Sequence, residues 1–386
     1  GFADFFSRVL PGLLEKNAAC VEAWLADNTP EPLSIECEGS TWQLAVDGST
    51  IRARPGSSQA GSLVRLDADE FSGLVNDLYT PITFFVSGKL DLIRGDMSGF
   101  LDWWLVIRAL VDGRAIHVPG AIDFLDRAGE PLDLHRSFRL HDAVEDMRHF
   151  LETAGFLHIA GVFSEDEMAA VSADIDTCQH QYHEGDERSW WATTREGSRR
   201  LVRLQGFDEH SAATRSILSD PRFRRIGEIT GDGHVHTGLQ GNAIEALVKP
   251  LHVVEGISDL PWHKDCSLGR HSYECCSLTV GISVTGAGAD SGQLRVITGS
   301  HRALMRPALL ADAGKYGLPV IDLRTRTGDI TAHLSGTHHM SQAPTAGERR
   351  VMDTSFRLPS VTADTDNASR ARISEVREAA YRNDSK

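Results

Sequence analysis

From Asn242 to Leu358 the chain is written as a succession of short apolar runs broken by turn residues: NAIEALVKPLHVVEG, CCSLTVGISVTG, GQLRVITGS, GDITAHLSGTHHMS and RRVMDTSFRL. Val, Ile, Leu and Thr dominate the runs, and Gly marks most of the breaks. Strands this short cannot each bury a face alone. They do so by closing on one another, and the pattern predicts a double-stranded β-helix, that is, a jelly-roll barrel. Just ahead, MRHFLETAGFLHIAGVFSEDEMAAVSADID reads as helix, short strand, helix. Ser164 caps the second helix and Glu167 follows three residues on, the spacing of a capping box. The barrel with its flanking helices is expected over residues 141–362. No repeat of fixed period is present.

A chain of 386 residues exceeds one ordinary core, so a second unit is expected. Residues 1–115 supply it as an α+β domain. FFSRVLPGLLEKN and ACVEAWLADN read as helices, and SIECEGSTWQLAVDGSTIRARP as short strands with Gly and Asp turns. LDADEFSGLVNDLY is a helix with Asp67 and Glu70 in capping-box spacing. FFVSGKLDLIRGD follows as a strand or hairpin, then the apolar helix SGFLDWWLVIRALV. The stretch LVRLDADEFSGLVNDLYTPITFFVSGKLDLIRGDMSGFLDWW resembles the sterol carrier protein family. That resemblance implies an apolar tunnel for lipid, against which Trp103 and Trp104 also read as ordinary core. Residues 116–140, with Pro, Gly and mixed charge, read as a linker, and 363–386 as a polar tail.

Composition narrows the function. The chain is 41% apolar and 24% charged, a globular balance, with a formal net charge of −15. That excess repels phosphates, so nucleic acid is not an expected partner. No apolar run reaches the ~18 residues that cross a bilayer, so no stable membrane insertion is expected. The opening GFADFFSRVLPGLLEKN is amphipathic with early acids, unlike a signal peptide. Six cysteines, Cys275 and Cys276 adjacent, lack disulfide or zinc spacing and read as reduced thiols of a cytoplasmic protein.

The chemistry centres on PWHKD, residues 261–265. On an extended chain His263 and Asp265 point to one side and offer an imidazole and a carboxylate to one ion. A third ligand must come from elsewhere, and His333, His338 and His339 in GDITAHLSGTHHMSQAP are the candidates. Two histidines and a carboxylate leave three positions open, which suits Fe(II) that must bind a cosubstrate and dioxygen together. Arg349 and Arg350 lie just beyond, and a guanidinium fork matches an oxoacid's distal carboxylate.

FLETAGFLHIAGVFSEDEM, the KP ahead of PWHKD, SGQLRVITGSHR, and GD followed by His-x-Ser together resemble the phytanoyl-CoA dioxygenase family of Fe(II) and 2-oxoglutarate oxygenases over roughly residues 141–360. The resemblance implies His263 and Asp265 as proximal iron ligands. The family's distal histidine lies ten residues past the Asp of GD, and 329 + 10 gives His339, with Ser341 two residues on. His338 would face the other way on a regular strand. Ser341 and an arginine, Arg349 in preference to Arg350, are implied to bind 2-oxoglutarate. Two departures stand out. Gly281 replaces a Trp common near the cosubstrate, which would widen the pocket, and Lys264 replaces a Gln and should point away from the metal. Related iron halogenases lose the carboxylate that Asp265 keeps, which favours oxygen chemistry.

Other motifs carry less. GAGADSG (286–292) reads as a hairpin turn, since the lysine of a P-loop is missing. Arg199, Arg200 and Arg203 read as a solvated or paired face rather than a coenzyme A site. His271, His301 and His333 read as structural or solvent-facing, with His333 able instead to line the pocket. The expected function is hydroxylation, by Fe(II), 2-oxoglutarate and dioxygen, of an unactivated C–H bond in a lipophilic small molecule: a terpenoid, steroid, polyketide or fatty acyl derivative. Desaturation, epoxidation or rearrangement is the variant of that chemistry, and a carrier with a degenerate barrel is the non-catalytic alternative. A homodimer is left open.

Overall fold

A computed structural model describes all residues except 49, 60, 78–79, 82–83, 85–88, 240–241, 257–259, 266–276, 307–312 and 359–386. His271, Cys275, Cys276 and the polar tail lie outside the described residues.

The first unit begins with helical turns that lead into α1 (Leu10–Asn17) and α2 (Ala19–Asp27). Its sheet takes β1 (Leu33–Cys37), β2 (Ser40–Asp47), β3 (Thr50–Pro55), β4 (Ser62–Arg65) and β5 (Asp91–Arg94) in the order β3-β2-β1-β4-β5. The β1–β4 pair is parallel, and α3 (Ala68–Val75) leads out of β4. Asp67 accepts from the Glu70 amide and the Glu70 side chain accepts from the Asp67 amide, so the expected capping box is formed. The sixteen-residue α4 (Met97–Asp112) buries ten of its residues. Trp103 and Trp104 are 0% and 1% exposed and sit in one cluster with Phe6, Leu33, Ile35, Phe71 and Phe100, which assigns both to the core. Fully burying such a side chain contributes roughly 1.5–3 kcal/mol.

Residues 116–140 contain neither helix nor strand, and they are strapped down. Ile116 donates to Cys20 O and His117 to Leu304 O, while Phe138 is fully buried and pairs with β6 (Phe156–Ile159). The two units also meet through Arg306 and Asp102 of α4, an ion pair, and through Arg114 donating to Arg302 O at 2.7 Å.

The second unit opens with α5 (Val144–Ala154), β6 and α6 (Glu165–Thr177), the last with the expected Ser164–Glu167 capping box. Strands β7 (Ser189–Thr194) and β8 (Arg199–Leu204) precede α7 (Ala212–Ser219) and α8 (Pro221–Glu228). The remainder is strand: β9 (Val235–His236), β10 (Glu245–Lys249), β11 (Val253–Glu255), β12 (Leu260–His263), β13 (Ser277–Ser283), β14 (Leu294–Ile297), β15 (Val320–Leu323), β16 (Ile330–Leu334), β17 (His339–Ser341) and β18 (Arg349–Arg357). A major sheet runs β11-β7-β8-β10-β18-β13-β16-β6, with β9 also on β18, and a minor sheet runs β12-β17-β14-β15. The pairs in both sheets are antiparallel. The architecture is mixed α/β with antiparallel sheets, compatible with the jelly roll.

Period-two alternation sorts the major sheet. Leu278, Val280, Ile282, Ile330, Ala332, Met352 and Phe356 pack in one core with Met147, Phe150, Val171, Ile217 and Phe223 of the helices. Thr279, Gly281, Thr331, His333, Arg349, Asp353 and Ser355 therefore face the interior between the sheets. Gly155 (φ 88°) ends α5 in the left-handed region, and a Cβ there would collide with His301 Nδ1 and the Thr337 hydroxyl. The glycine of TAGF thus seats the histidine of GSHR, whose Nε2 is 2.9 Å from Glu152 O.

Candidate metal centre

His263 ends β12 and His339 begins β17, and the two strands pair with these residues directly opposite. Their rings lie 4.2 Å apart. His263 Nδ1 is 2.7 Å from Pro261 O, and His339 Nδ1 is 3.0 Å from Thr337 O. A carbonyl can only accept, so each Nδ1 carries the proton and each Nε2 keeps its lone pair for a metal. Asp265 Oδ1 is 3.6 Å from His263 Nε2 and 3.5 Å from His339 Nε2. One donor atom from each of His263, Asp265 and His339 lies within 4.8 Å of the others, the one such group of His, Cys, Asp or Glu among the described residues. The Asp265 side chain keeps 31% of its surface accessible, so the group is open to an incoming molecule.

Charge is arranged to suit an ion. Burial alone would raise the Asp265 carboxyl, but His339, His263 and His333 hold it well below its usual range. Burial, then His333 and His263, push His339 well below the usual imidazole range. A carboxylate and a neutral imidazole are the forms that ligate.

His338, the neighbour in sequence, faces away. It is fully buried on the other side of β17, where burial and then Lys264 depress its imidazole. Lys264 likewise leaves the metal side, as expected, and its Nζ donates to Ser300 O at 3.0 Å. His333 departs from the expectation of a structural or solvent-facing side chain. It is 5% exposed, its ring is 4.1 Å from that of His339, and its Nε2 is 3.4 Å from Asp265 Oδ2. The alternation of β16 turns residue 333 to the interior, a placement the sequence left open.

Two residues beyond His339 on the same face, Ser341 Oγ accepts from Lys249 Nζ at 2.6 Å and from Arg349 Nη1 at 3.2 Å. Lys249 and Arg349 are directly opposed across β10 and β18. Like charges so placed repel, more so where burial strips water from them. Burial lowers the Arg349 guanidinium, with Asp353 pulling the other way. Arg349 Nε is buried without a hydrogen-bond partner. Paired cations, a hydroxyl and an orphaned N–H form a place built for a carboxylate. Lys249 received no role from the sequence, although the KP motif carries it.

The structure separates the two arginines. Arg350 points out of the barrel to α6, where it meets Asp176 at 2.8 Å and Ser172 Oγ at 2.9 Å, and it also pairs with Glu348, just ahead of β18, at 3.0 Å. The expectation that placed Arg350 with Ser341 is corrected by strand alternation, which leaves Arg349 alone of the two on the interior face. Gly281 also faces the interior, on β13. The side chains of its two cross-strand neighbours, Asp353 and Thr331, stand 3.0 and 3.1 Å from where its Cβ would lie, so a side chain here would have to displace them. Arg199, Arg200 and Arg203 are ion-paired with Glu184, Glu348 and Glu245, as a paired face. Residues 286–292 form a turn in which the Gly288 amide donates to Ser291 Oγ at 2.8 Å.

The model of the phytanoyl-CoA dioxygenase family (PhyH) matches residues 151–352. The chain belongs to the phytanoyl-CoA dioxygenase family. Fe(II), 2-oxoglutarate and dioxygen are the cofactor and cosubstrates of this family, and oxygenase chemistry of that kind is the chain's general activity. Among solved structures it is similar to AviO1 from Streptomyces viridochromogenes Tue57, at 20% identity, over 59% of this chain and 98% of that one, with a TM-score of 0.45. It is also similar to the epimerase SnoN, crystallised with Fe3+, alpha ketoglutarate and nogalamycin RO, at 19% identity, over 55% and 83%, with a TM-score of 0.44. EctD from S. alaskensis is similar at 14% identity, over 63% and 83%, with a TM-score of 0.45. No curated protein matches the chain. No helix among the described residues is long and apolar enough to cross a membrane.

Proposed function

We propose that this chain is a hydroxylase that holds Fe(II) on His263, Asp265 and His339 and oxidises a C–H bond of a small molecule. The observation that carries the reading is the convergence of two Nε2 atoms and one carboxylate oxygen within 4.8 Å. Both imidazoles are oriented by backbone carbonyls, and Lys249 and Arg349 from two neighbouring strands meet Ser341, two residues beyond His339, with Arg349 Nε left without a partner. With 2-oxoglutarate and dioxygen, Fe(II) bound there supplies an oxidant for unactivated C–H bonds while the oxoacid is consumed to succinate and carbon dioxide.

The chain's own residues bind and orient. Arg349 offers its guanidinium to the distal carboxylate, Ser341 reorients its hydroxyl toward it, and Lys249 neutralises the remaining charge. With three protein donors on the metal, three positions are left for the oxoacid's keto acid end and for dioxygen. The substrate carbon then has to be held close to the metal with water excluded.

For the substrate we favour a lipophilic molecule, and a cytoplasmic setting. The sterol-carrier resemblance of residues 1–115 supports an apolar ligand, although Trp103 and Trp104 are spent in packing. The paired state of Arg199, Arg200 and Arg203 supports a free molecule over a coenzyme A thioester. Retention of Asp265 supports oxygen transfer. We assign the barrel enzyme to residues 141–362, joined through 116–140.

Succinate release tests the reading. Incubated aerobically with Fe(II) and 2-oxoglutarate, the chain should form succinate slowly without substrate and faster with a matching lipophile. His263→Ala should lower both by at least about 100-fold. Equal succinate from the variant would end the assignment.

A further inference from the structure

His333 is a buried imidazole that no step above uses. Strand β16 places it opposite Thr279 of β13, and both side chains reach the same oxygen of Asp265. Thr279 Oγ1 donates to Oδ2 at 2.7 Å, and His333 Nε2 stands 3.4 Å from that atom. At 3.4 Å the contact falls outside hydrogen-bond geometry, and both His333 ring nitrogens are buried without a partner. A buried polar group left so is costly and needs a reason.

The two oxygens of Asp265 thus face different neighbours. Oδ1 faces the Nε2 atoms of His263 and His339, and Oδ2 faces Thr279 and His333. We propose that His333 and Thr279 form a clamp on Oδ2 that confines Asp265 to one metal-bound oxygen. His333 is a positioning residue in this scheme and not a ligand. It approaches the outer oxygen, and it lies outside the group of donors that share one 4.8 Å neighbourhood. The proposal rests on the iron reading above and deepens it. An octahedral ion with three protein donors keeps three positions, two for a chelating oxoacid and one for dioxygen. A carboxylate free to give both oxygens would take one of them. An imidazole with its proton on Nε2 has its nearest acceptor in Oδ2, the oxygen that the metal-facing side of the carboxylate leaves over.

Co(II) binding to the full chain, followed by its visible absorption and by titration, tests this without turnover. His333→Phe removes the donor and keeps the volume, His333→Gln restores an N–H, and Thr279→Val removes the other half of the clamp. We expect His333→Phe and Thr279→Val each to weaken Co(II) about 10- to 100-fold and to change the band pattern. His333→Gln should stay within about 3-fold of the unaltered chain. Should His333→Phe fail to fold, Thr279→Val and His333→Gln carry the test. Unchanged affinity and spectrum in the Phe and Val variants would overturn the clamp while leaving the iron reading standing. So would a Gln variant no better than Phe. Loss of Co(II) in His333→Phe as complete as in His263→Ala would make His333 a ligand and overturn it too. No Co(II) bound by the unaltered chain would overturn both readings.

Discussion

At the scale of single residues, Arg349 and Arg350 are neighbours in sequence and sit on opposite sides of β18. Their substitutions therefore part company. A charge-assisted hydrogen bond is worth ~1.5–3 kcal/mol, so Arg349→Ala should weaken 2-oxoglutarate about 10- to 100-fold in anaerobic titration calorimetry. Arg350→Ala should leave that affinity within about 3-fold, since it loses only pairs on the outer face. The reverse ranking would move the oxoacid pocket elsewhere. Asp353 makes a second prediction. Burial pushes its carboxyl up to about 6, with Arg349 and Arg203 pulling against it and Glu245 adding to it. Between its ordinary value and about 6 the folded chain keeps a proton that the unfolded chain has lost, so stability declines as pH rises through that window. Asp353→Asn removes that loss. Its unfolding free energy from urea denaturation should gain on the unaltered chain from pH 4 to pH 7, by on the order of 1–3 kcal/mol. A constant difference across that range would contradict the raised value.

At the scale of elements, the short strands and their glycines do the placing. His263 and His339 meet because β12 and β17 pair in register, and Ser341 follows on the same face by alternation. Gly155 matters for a different reason, since it ends α5 at a φ of 88° against His301 and Thr337. Gly155→Ala should cost about 1–3 kcal/mol in urea denaturation, from left-handed strain and collision together. A change under about 0.5 kcal/mol would mean the α5–β6 corner adapts, against this account. The elements were also the most legible part of the sequence. The capping boxes at Asp67 and Ser164 are local spacings, so they could be read without the fold. Strand alternation could exclude His338, because orientation along a regular strand is also local. Read from the sequence alone, it could put Arg349 and Arg350 on opposite faces but could not decide which face is the interior, nor the sides that His333 and Asp353 take. Those depend on which strands become neighbours, a long-range outcome that no local spacing encodes. Lys249 was hidden for the same reason, since its role exists only opposite Arg349.

At the scale of the whole molecule, two cores meet along α4 and the segment around Leu304. Leu304 belongs to the first unit's core although it lies in the second unit's sequence. The partly buried Arg306–Asp102 pair joins the same surfaces. Breaking it by Asp102→Asn leaves a guanidinium short of its partner and should cost about 1–3 kcal/mol in urea denaturation. An unchanged midpoint would show that the units contribute nothing to each other there. The centre of the account remains the three donors on one ion, and an anaerobic titration with Fe(II) and 2-oxoglutarate examines it most directly. The unaltered chain and His338→Ala should develop the weak visible absorption of the iron-bound oxoacid, and His339→Ala should not. Absorption kept by His339→Ala and lost in His338→Ala would contradict the centre described here.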